Sequence, residues 1–348
     1  MSFDPNAAAA ATSGVFGLPH TSEEARVILV PVPFEATTSY GGGTAGGPEA
    51  IRAASRQVDL FDVETGRPYE SGIAMLADPA NVQTWNRQAR AAARPVIEAG
   101  GVVSEGASDA NLVSAAAAVN EWSARLNGWV HEQTAGILAA QKIPGIVGGD
   151  HAVSFGAFQA AVEAHPGIGI LHFDAHADLR CAYEGFTFSH ASIMDNAMSR
   201  LPALGKLVQV GIRDCCEEEH ARIAQSAGRI VTHFDADLQR AKFDGVRFSE
   251  VAARIVAALP KKVWISFDID GLDPALCPHT GTPVPSGLSF AEACAVIRVC
   301  AKSGRRIVGF DLTEVAPGPD GDEWDANVGA RLLYKLIGWT LVSQRVLA

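Results

Sequence analysis

Three clusters of acids and histidines carry the residue types that could do chemistry in this chain, and each follows an apolar run. They read Gly148-Gly149-Asp150-His151, Asp174-Ala175-His176-Ala177-Asp178 and Asp268-Ile269-Asp270-Gly271-Leu272-Asp273-Pro274. The preceding runs, Ile143 to Val147, Ile168 to Phe173 and Val263 to Phe267, have the continuous apolar character of strands buried on both faces of a parallel sheet. Ionised carboxylates are too costly to bury unpaired, so at the ends of such strands they call for a compensating cation. A binuclear metal site is the simplest arrangement that gathers the three clusters, in the crevice where open α/β sheets place ligands. Taken singly, each has a plainer reading: Asp174-Ala175-His176 as a turn, Asp268-Ile269-Asp270-Gly271 as a strand end, Gly149-Asp150-His151 as a helix cap. Capping does not call for both histidine and acid at three strand ends, which favours the joint metal reading.

The elements that must position these clusters alternate along the chain. Val27 to Val30 reads as a first strand, and Gly47-Pro48-Glu49-Ala50 opens a helix through Ser55, with proline early as helix starts prefer. Trp85 to Ala99 and Asp109 to Ala140 are Ala-rich and helical, the second with an expected break near Gly128. Further strands are expected at Leu207 to Ile212, Arg229 to His233 and Arg306 to Phe310. Helices are expected at Phe155 to Ala164, Ser249 to Ala258, Phe290 to Ser303 and Val328 to Val342. Repeated strand–helix units predict a three-layer α/β/α fold with a mostly parallel central sheet. We expect residues 1–20 to form a mobile N-terminal segment and 21–348 a single domain, because no Pro- or Ser-rich linker divides the chain.

Charge and composition exclude some function classes. The net charge of −11, with neither Lys nor Arg in runs, disfavours nucleic acid and anionic membrane surfaces as partners. Six cysteines, two adjacent at Cys215-Cys216 and the rest scattered, form neither a disulfide framework nor a metal-binding pair, which suits a reducing cytoplasm. Met1 to Gly14 has no basic start and no long apolar core, so no signal peptide is expected.

The motifs GGDHAVS, FDAHADLR and SFDIDGLDP, in this order and spacing, resemble those of the arginase and agmatinase ureohydrolase superfamily. The likeness continues through His190 in FSHAS and Glu314 in FDLTEVAP, from roughly Val27 to the C-terminal helix. It implies an arginase-like fold and two divalent metal ions per subunit. By this resemblance Asp174 and Asp268 bridge the ions, His151 and Asp178 complete one, and His176 and Asp270 complete the other. It also implies that His190 shuttles a proton to the leaving amine and that Glu314 pairs with the substrate guanidinium, roles suited to an imidazole and to bidentate geometry. A guanidinium carbon is electron-rich by resonance and resists water, whereas a metal-activated hydroxide attacks it near neutral pH. Assembly as a homo-oligomer, a trimer or hexamer, is implied as well, with a paralogous subunit as a possible partner.

Substrate identity rests on finer likeness. Where arginases carry small polar residues between these ligands and the histidine, this chain has Tyr183, Phe186 and Phe188. The loop Glu184 to Met194, the segment Pro278 to Pro283 and Glu323-Trp324-Asp325 look most like the guanidine-hydrolase branch and related alkylguanidine and biguanide (metformin) hydrolases. The leading expectation is therefore hydrolysis of guanidine or a small substituted guanidine to urea and ammonia or an amine. Agmatinase or guanidinobutyrase is the alternative, a formimino-group hydrolase the third, and a non-catalytic subunit supporting an active paralogue the reading from another class. The carboxylate-rich donor set suits manganese, but the guanidine-hydrolase likeness favours nickel, which N/O sites bind more tightly. Tyr183, Phe186 and Phe188 are expected to form an aromatic wall that excludes a long polar tail, the alternative being core or subunit-contact residues, and Thr37, Thr38, Tyr40 and Trp324 are expected to complete the substrate pocket. Arg180 is expected to pair with a metal-bound carboxylate, Asp311 to lie behind the donors, and His172 to be a satisfied core histidine.

Overall fold

Strands and helices follow one another as the apolar runs require. The computed structural model describes residues 3–10, 12–102 and 109–347. The strands are β1 (Val27–Val32), β2 (Ile73–Met75), β3 (Ile143–Gly148), β4 (Gly169–Phe173), β5 (Lys206–Ile212), β6 (Ile230–Phe234), β7 (Lys262–Asp268) and β8 (Arg306–Thr313). The helices are α1 (Gly47–Ser55), α2 (Ala80–Glu98), α3 (Ala110–Ala139), α4 (Phe155–Ala164), α5 (Ile193–Arg200), α6 (Glu217–Gln225), α7 (Asp235–Phe243), α8 (Phe248–Ala257), α9 (Phe290–Lys302) and α10 (Trp324–Ser343). Among the described residues, one sheet of eight strands, in the order β2-β1-β3-β8-β7-β4-β5-β6, pairs throughout in parallel.

The two-residue period of a strand divides the core into two layers. Val27 and Leu29, Leu171 and Phe173, and Val263, Ile265 and Phe267 face one apolar cluster, shared with α1, α8, α9 and α10. Ile28 and Val30, Ile170, and Trp264 face the other, shared with α2, α3, α4 and α5. Each large side chain buried this way contributes about 1.5–3 kcal/mol. The strands thus need apolar residues on both faces, which is why they read as continuous runs.

Several boundaries differ from expectation for local reasons. Gly128 does not interrupt α3, since helix packing overrides its weak propensity. β2 has only three residues, and the acidic, weakly apolar α6 gave little periodic signal; α5 and α7 were likewise unanticipated. Within the segment expected to be mobile, Met1, Ser2 and Ala11 lie outside the described residues, whereas Val15, Phe16 and Leu18 are buried in the core. Phe16 packs on Tyr334 of α10 with ring centroids 4.9 Å apart, so the chain is anchored well before residue 21. Among the described residues, no helix is long and apolar enough to cross a membrane.

Candidate metal centre

The strand order places β3, β8, β7 and β4 side by side, so their C-terminal ends bring the three clusters and Glu314 to one crevice. Local turns then fold the side chains inward. Asp174 immediately follows β4 and accepts the backbone N–H of His176 at 2.6 Å. Asp268 likewise accepts the N–H of Asp270 at 2.9 Å. In each case the first acid caps the bend that returns the residue two positions on to the same crevice. Glycine permits the close approaches: a Cβ at Gly149 would sit 1.9 Å from the Phe34 carbonyl oxygen, and one at Gly271 2.7 Å from the Asp174 nitrogen.

His151 Nδ1 lies 3.1 Å from Asp174 Oδ2, 3.2 Å from Asp178 Oδ2 and 3.4 Å from Asp268 Oδ2. His176 Nδ1 lies 3.0 Å from Asp270 Oδ2 and 3.4 Å from Asp174 Oδ1. Asp174 therefore turns one oxygen to each half. Behind the first half, His151 Nε2 is 2.8 Å from the Ser266 hydroxyl, which donates to Asp311 at 2.8 Å. The serine must accept from Nε2–H, and this leaves the Nδ1 lone pair for a cation. All six residues that sequence likeness named as ligands thus converge.

The electrostatics fit divalent cations. Burial, then the charge of Asp174, pushes Asp178 up to about 8. Burial, Asp270 and Asp174 raise Asp268 well above the ordinary carboxylate range. Burial opposes a charged His176, yet Asp270 and Asp174 push it up to about 12. Asp178 and Asp268 are thus driven toward the protonated form while His151 and His176 are driven toward the cation, the condition a pair of metal ions would relieve. Donor atoms of His151, His172, Asp174 and Asp178, and of Asp174, His176 and Asp270, lie within 4.8 Å of one another in each set. His172, expected to be an ordinary core histidine, is buried and satisfied but touches the centre, with Nε2 2.8 Å from Asp174 Oδ2. Its signal was parity: residues 172 and 174 project to the same side of a strand.

Around the acids stand the other candidate groups. His190 opens a turn after Ser189, and its backbone N–H donates to the Thr37 hydroxyl at 3.1 Å. Burial, then the charge of His176, pushes its imidazole down to about 4, so it is neutral at physiological pH. Thr37 in turn donates to Asp150 at 3.2 Å. Glu314, at φ +62°, accepts the backbone N–H of His151 through Oε1 at 2.8 Å. Its Oε2 is buried without a hydrogen-bond partner, and burial followed by the charge of Asp150 raises its pKa well above the usual value. An unpartnered buried carboxylate oxygen invites a cationic donor, and a guanidinium supplies one.

A cavity of about 210 Å³ opens on His176, Asp178 and His190, and its outer wall includes Tyr40, Arg180 and Tyr183. The expected wall of three aromatic rings is not there. Tyr183 meets His190 edge-on at 6.1 Å, but Phe186 is fully buried and Phe188 packs between Phe155 and Arg200. Their spacing of two puts both on the inward side of the loop. Thr38 ties its own loop to Glu35 and Arg90, and Trp324 donates to the Ala275 carbonyl at 2.9 Å; neither lines the cavity. Arg180 stacks on Tyr183 and pairs with Glu219 at 3.8 Å rather than with a carboxylate of the cluster. The segment Pro278 to Pro283, which carries part of the guanidine-hydrolase likeness, supports Glu314, whose carbonyl accepts from the Thr280 hydroxyl at 2.8 Å, and places Thr282 on the cavity wall.

Comparison with known proteins agrees with this geometry. Residues 25–338 match the family model described as the Arginase family. The chain is 35% identical to the N(1)-aminopropylagmatine ureohydrolase of Thermus thermophilus over 93% of this chain and 94% of that protein. It is 29% identical to the guanidinobutyrase of Pseudomonas aeruginosa, covering 92% of this chain and 89% of that one. The solved structure of agmatine ureohydrolase of Thermoplasma volcanium superposes with a TM-score of 0.72 at 24% identity, over 97% of both chains. These three proteins are named for aminopropylagmatine, guanidinobutyrate and agmatine, and not for the free guanidine of the leading expectation.

Proposed function

The chain belongs to the arginase family, and from that premise we propose that it cleaves a guanidino compound with an aliphatic, cationic tail, of the agmatine type, to urea and an amine. It is a metal-dependent ureohydrolase, an enzyme acting on carbon–nitrogen bonds of linear amidines. The observation that carries the finer reading is the wall of the cavity beside the acids. Only one ring, Tyr183, comes from the loop expected to close it, and Tyr40 at the rim is 87% exposed, so a tail can leave toward solvent. Beyond the proposed ligands, this wall holds, among the described residues, Asp214 and Glu219 against the cation Arg180, a balance that favours a positive tail. The 35% identity to an aminopropylagmatine ureohydrolase supports the same choice.

When bound, two divalent cations supply a hydroxide nucleophile near neutral pH. The protein does the rest. Glu314 accepts the guanidinium through Oε2 and orients its carbon toward Asp174 and Asp268, two of the acids that would hold the ions. His190, neutral and held by Thr37, carries a proton to the departing amine nitrogen. With the free-guanidine likeness set aside, the ground for nickel goes with it, and four carboxylates with two imidazoles favour manganese.

The test is urea release by manganese-reconstituted protein from agmatine, N(1)-aminopropylagmatine, guanidinobutyrate, arginine, methylguanidine and guanidine. The highest kcat/KM is expected on agmatine or its aminopropyl derivative. A profile dominated by guanidine or methylguanidine would overturn the reading, and one dominated by guanidinobutyrate would reverse the tail charge.

A further inference from the structure

We propose that His172 is a positioning residue for the metal centre: its Nε2–H, in a tautomer imposed by Gln209, holds Oδ2 of Asp174 and sets how that carboxylate meets the cation on the His151 side. The proposal rests on the reading of Asp174 as the carboxylate shared by two metal ions.

By distance alone His172 belongs among the possible metal donors with His151, Asp174 and Asp178. Its hydrogen bonds assign it otherwise. The side-chain Nε2 of Gln209 lies 2.8 Å from the carbonyl oxygen of Ala177, an atom that only accepts, so this corner of the amide is the NH2. The same NH2 is 3.1 Å from His172 Nδ1, which must therefore accept. A neutral imidazole that accepts at Nδ1 carries its hydrogen on Nε2, 2.8 Å from Asp174 Oδ2. A nitrogen bearing hydrogen has no lone pair for a metal ion. His172 is thus a donor to a ligand and not itself a ligand.

The sheet register builds this arrangement. His172 on β4 is directly opposite Gln209 on β5, and Gln209 is opposite Thr232 on β6, whose hydroxyl donates to the glutamine Oε1 at 2.8 Å. On the other side His172 is opposite Ser266 on β7, and Ser266 is opposite Asp311 on β8. One transverse row of polar residues therefore crosses five adjacent strands beneath the centre. His172, Gln209, Ser266 and Asp311 are all fully buried, so each donor and acceptor is committed to a neighbour. The row supports the His151 half at two points: Ser266 sets the tautomer of His151, and His172 occupies Oδ2 of Asp174. Both contacts lie behind ligands, where outer partners typically change metal affinity 10- to 100-fold.

The experiment compares Gln209→Glu, which offers Nδ1 an acceptor and so inverts the tautomer, with Gln209→Met, which makes no demand. Histidine tautomers are read from 15N and 13C shifts in metal-free and Zn2+-loaded protein, and Mn2+ affinities from calorimetric titration of metal-free protein. The parent should show Nε2–H at His172 with and without zinc. Gln209→Glu should move the hydrogen to Nδ1 and weaken one of two Mn2+ sites by about 10- to 100-fold, and Gln209→Met should stay within about threefold of the parent on the same scale. If Gln209→Glu does not fold, His172→Phe removes the donor at similar volume and should weaken the same site, with His172→Gln restoring part of the affinity. A hydrogen on Nδ1 in the zinc-loaded parent, or equal losses for the Glu and Met variants, would overturn the proposal. Failure to release urea from any guanidino compound, with these affinities as expected, would sink the ureohydrolase reading and leave the role of His172 standing.

Discussion

Glu314 and His151 are joined by a single hydrogen bond, from the His151 backbone N–H to Glu314 Oε1 at 2.8 Å, which leaves Oε2 of the same carboxylate buried and without a partner. One oxygen thus registers the side chain against His151, and the other is the one proposed above for the guanidinium. The left-handed φ of +62° at Glu314 is strain held by Thr280 on its carbonyl and Gly149 on its nitrogen.

From this relationship, Glu314→Gln should keep the contact to His151 but present NH2 in place of the accepting Oε2. Loss of a hydrogen bond to a charged group costs about 1.5–3 kcal/mol, or roughly 10- to 150-fold in kcat/KM. Metal content by elemental analysis should not change. A variant with parental kcat/KM on every guanidino compound would show that the free oxygen is not the guanidinium site.

Asp174 faces both halves of the centre, through Oδ2 to His151 and Oδ1 to His176. Asp174→Ala should therefore lower occupancy of both metal sites and abolish turnover, whereas Asp178→Ala, which touches only the His151 half, should spare the other site. Metal-to-protein ratios after dialysis distinguish the two. Equal losses from both variants would argue against a shared Asp174.

In the proposed mechanism, proton delivery depends on His190 and on the Thr37 hydroxyl that holds it. His190→Asn should cut turnover about 100-fold or more with metal retained. Thr37→Val removes the acceptor of the His190 N–H and should lower kcat more than it raises KM, with Thr37→Ser restoring most of the rate. Parental turnover in His190→Asn across pH 6–9 would remove His190 from the mechanism.

The same histidine links stability to pH in the metal-free protein. Its pKa is pushed from 6.5 down to about 4 in the folded state, so between these values the unfolded chain binds a proton that the folded chain does not. Stability should therefore fall as pH drops from 6.5 to 4, and this part of the slope should vanish in His190→Asn. Urea denaturation at several pH values checks both; an unchanged slope in the variant would show that His190 does not titrate low.

The amino-acid sequence alone made the metal clusters and most of the sheet legible. Val263 to Phe267 and Ile143 to Val147 are short continuous apolar runs of the kind that form strands buried on both faces, and acids with histidines at three such ends together favour cations. The α/β layering was readable for that reason, while the family and the six proposed ligands were readable from the likeness of the three motifs. What surrounds the ligands was not, because it depends on which strands are neighbours and which side of a loop faces inward. Phe186 and Phe188 looked like a substrate wall until their spacing turned both toward the core, and Tyr183 alone remained at the cavity. His172 looked like a core residue until β4 was set between β5 and β7, with Gln209 and Ser266 at its sides. Side-chain types are local properties of the chain, whereas a hydrogen bond between residues 37 positions apart exists only once the sheet has chosen its order and register.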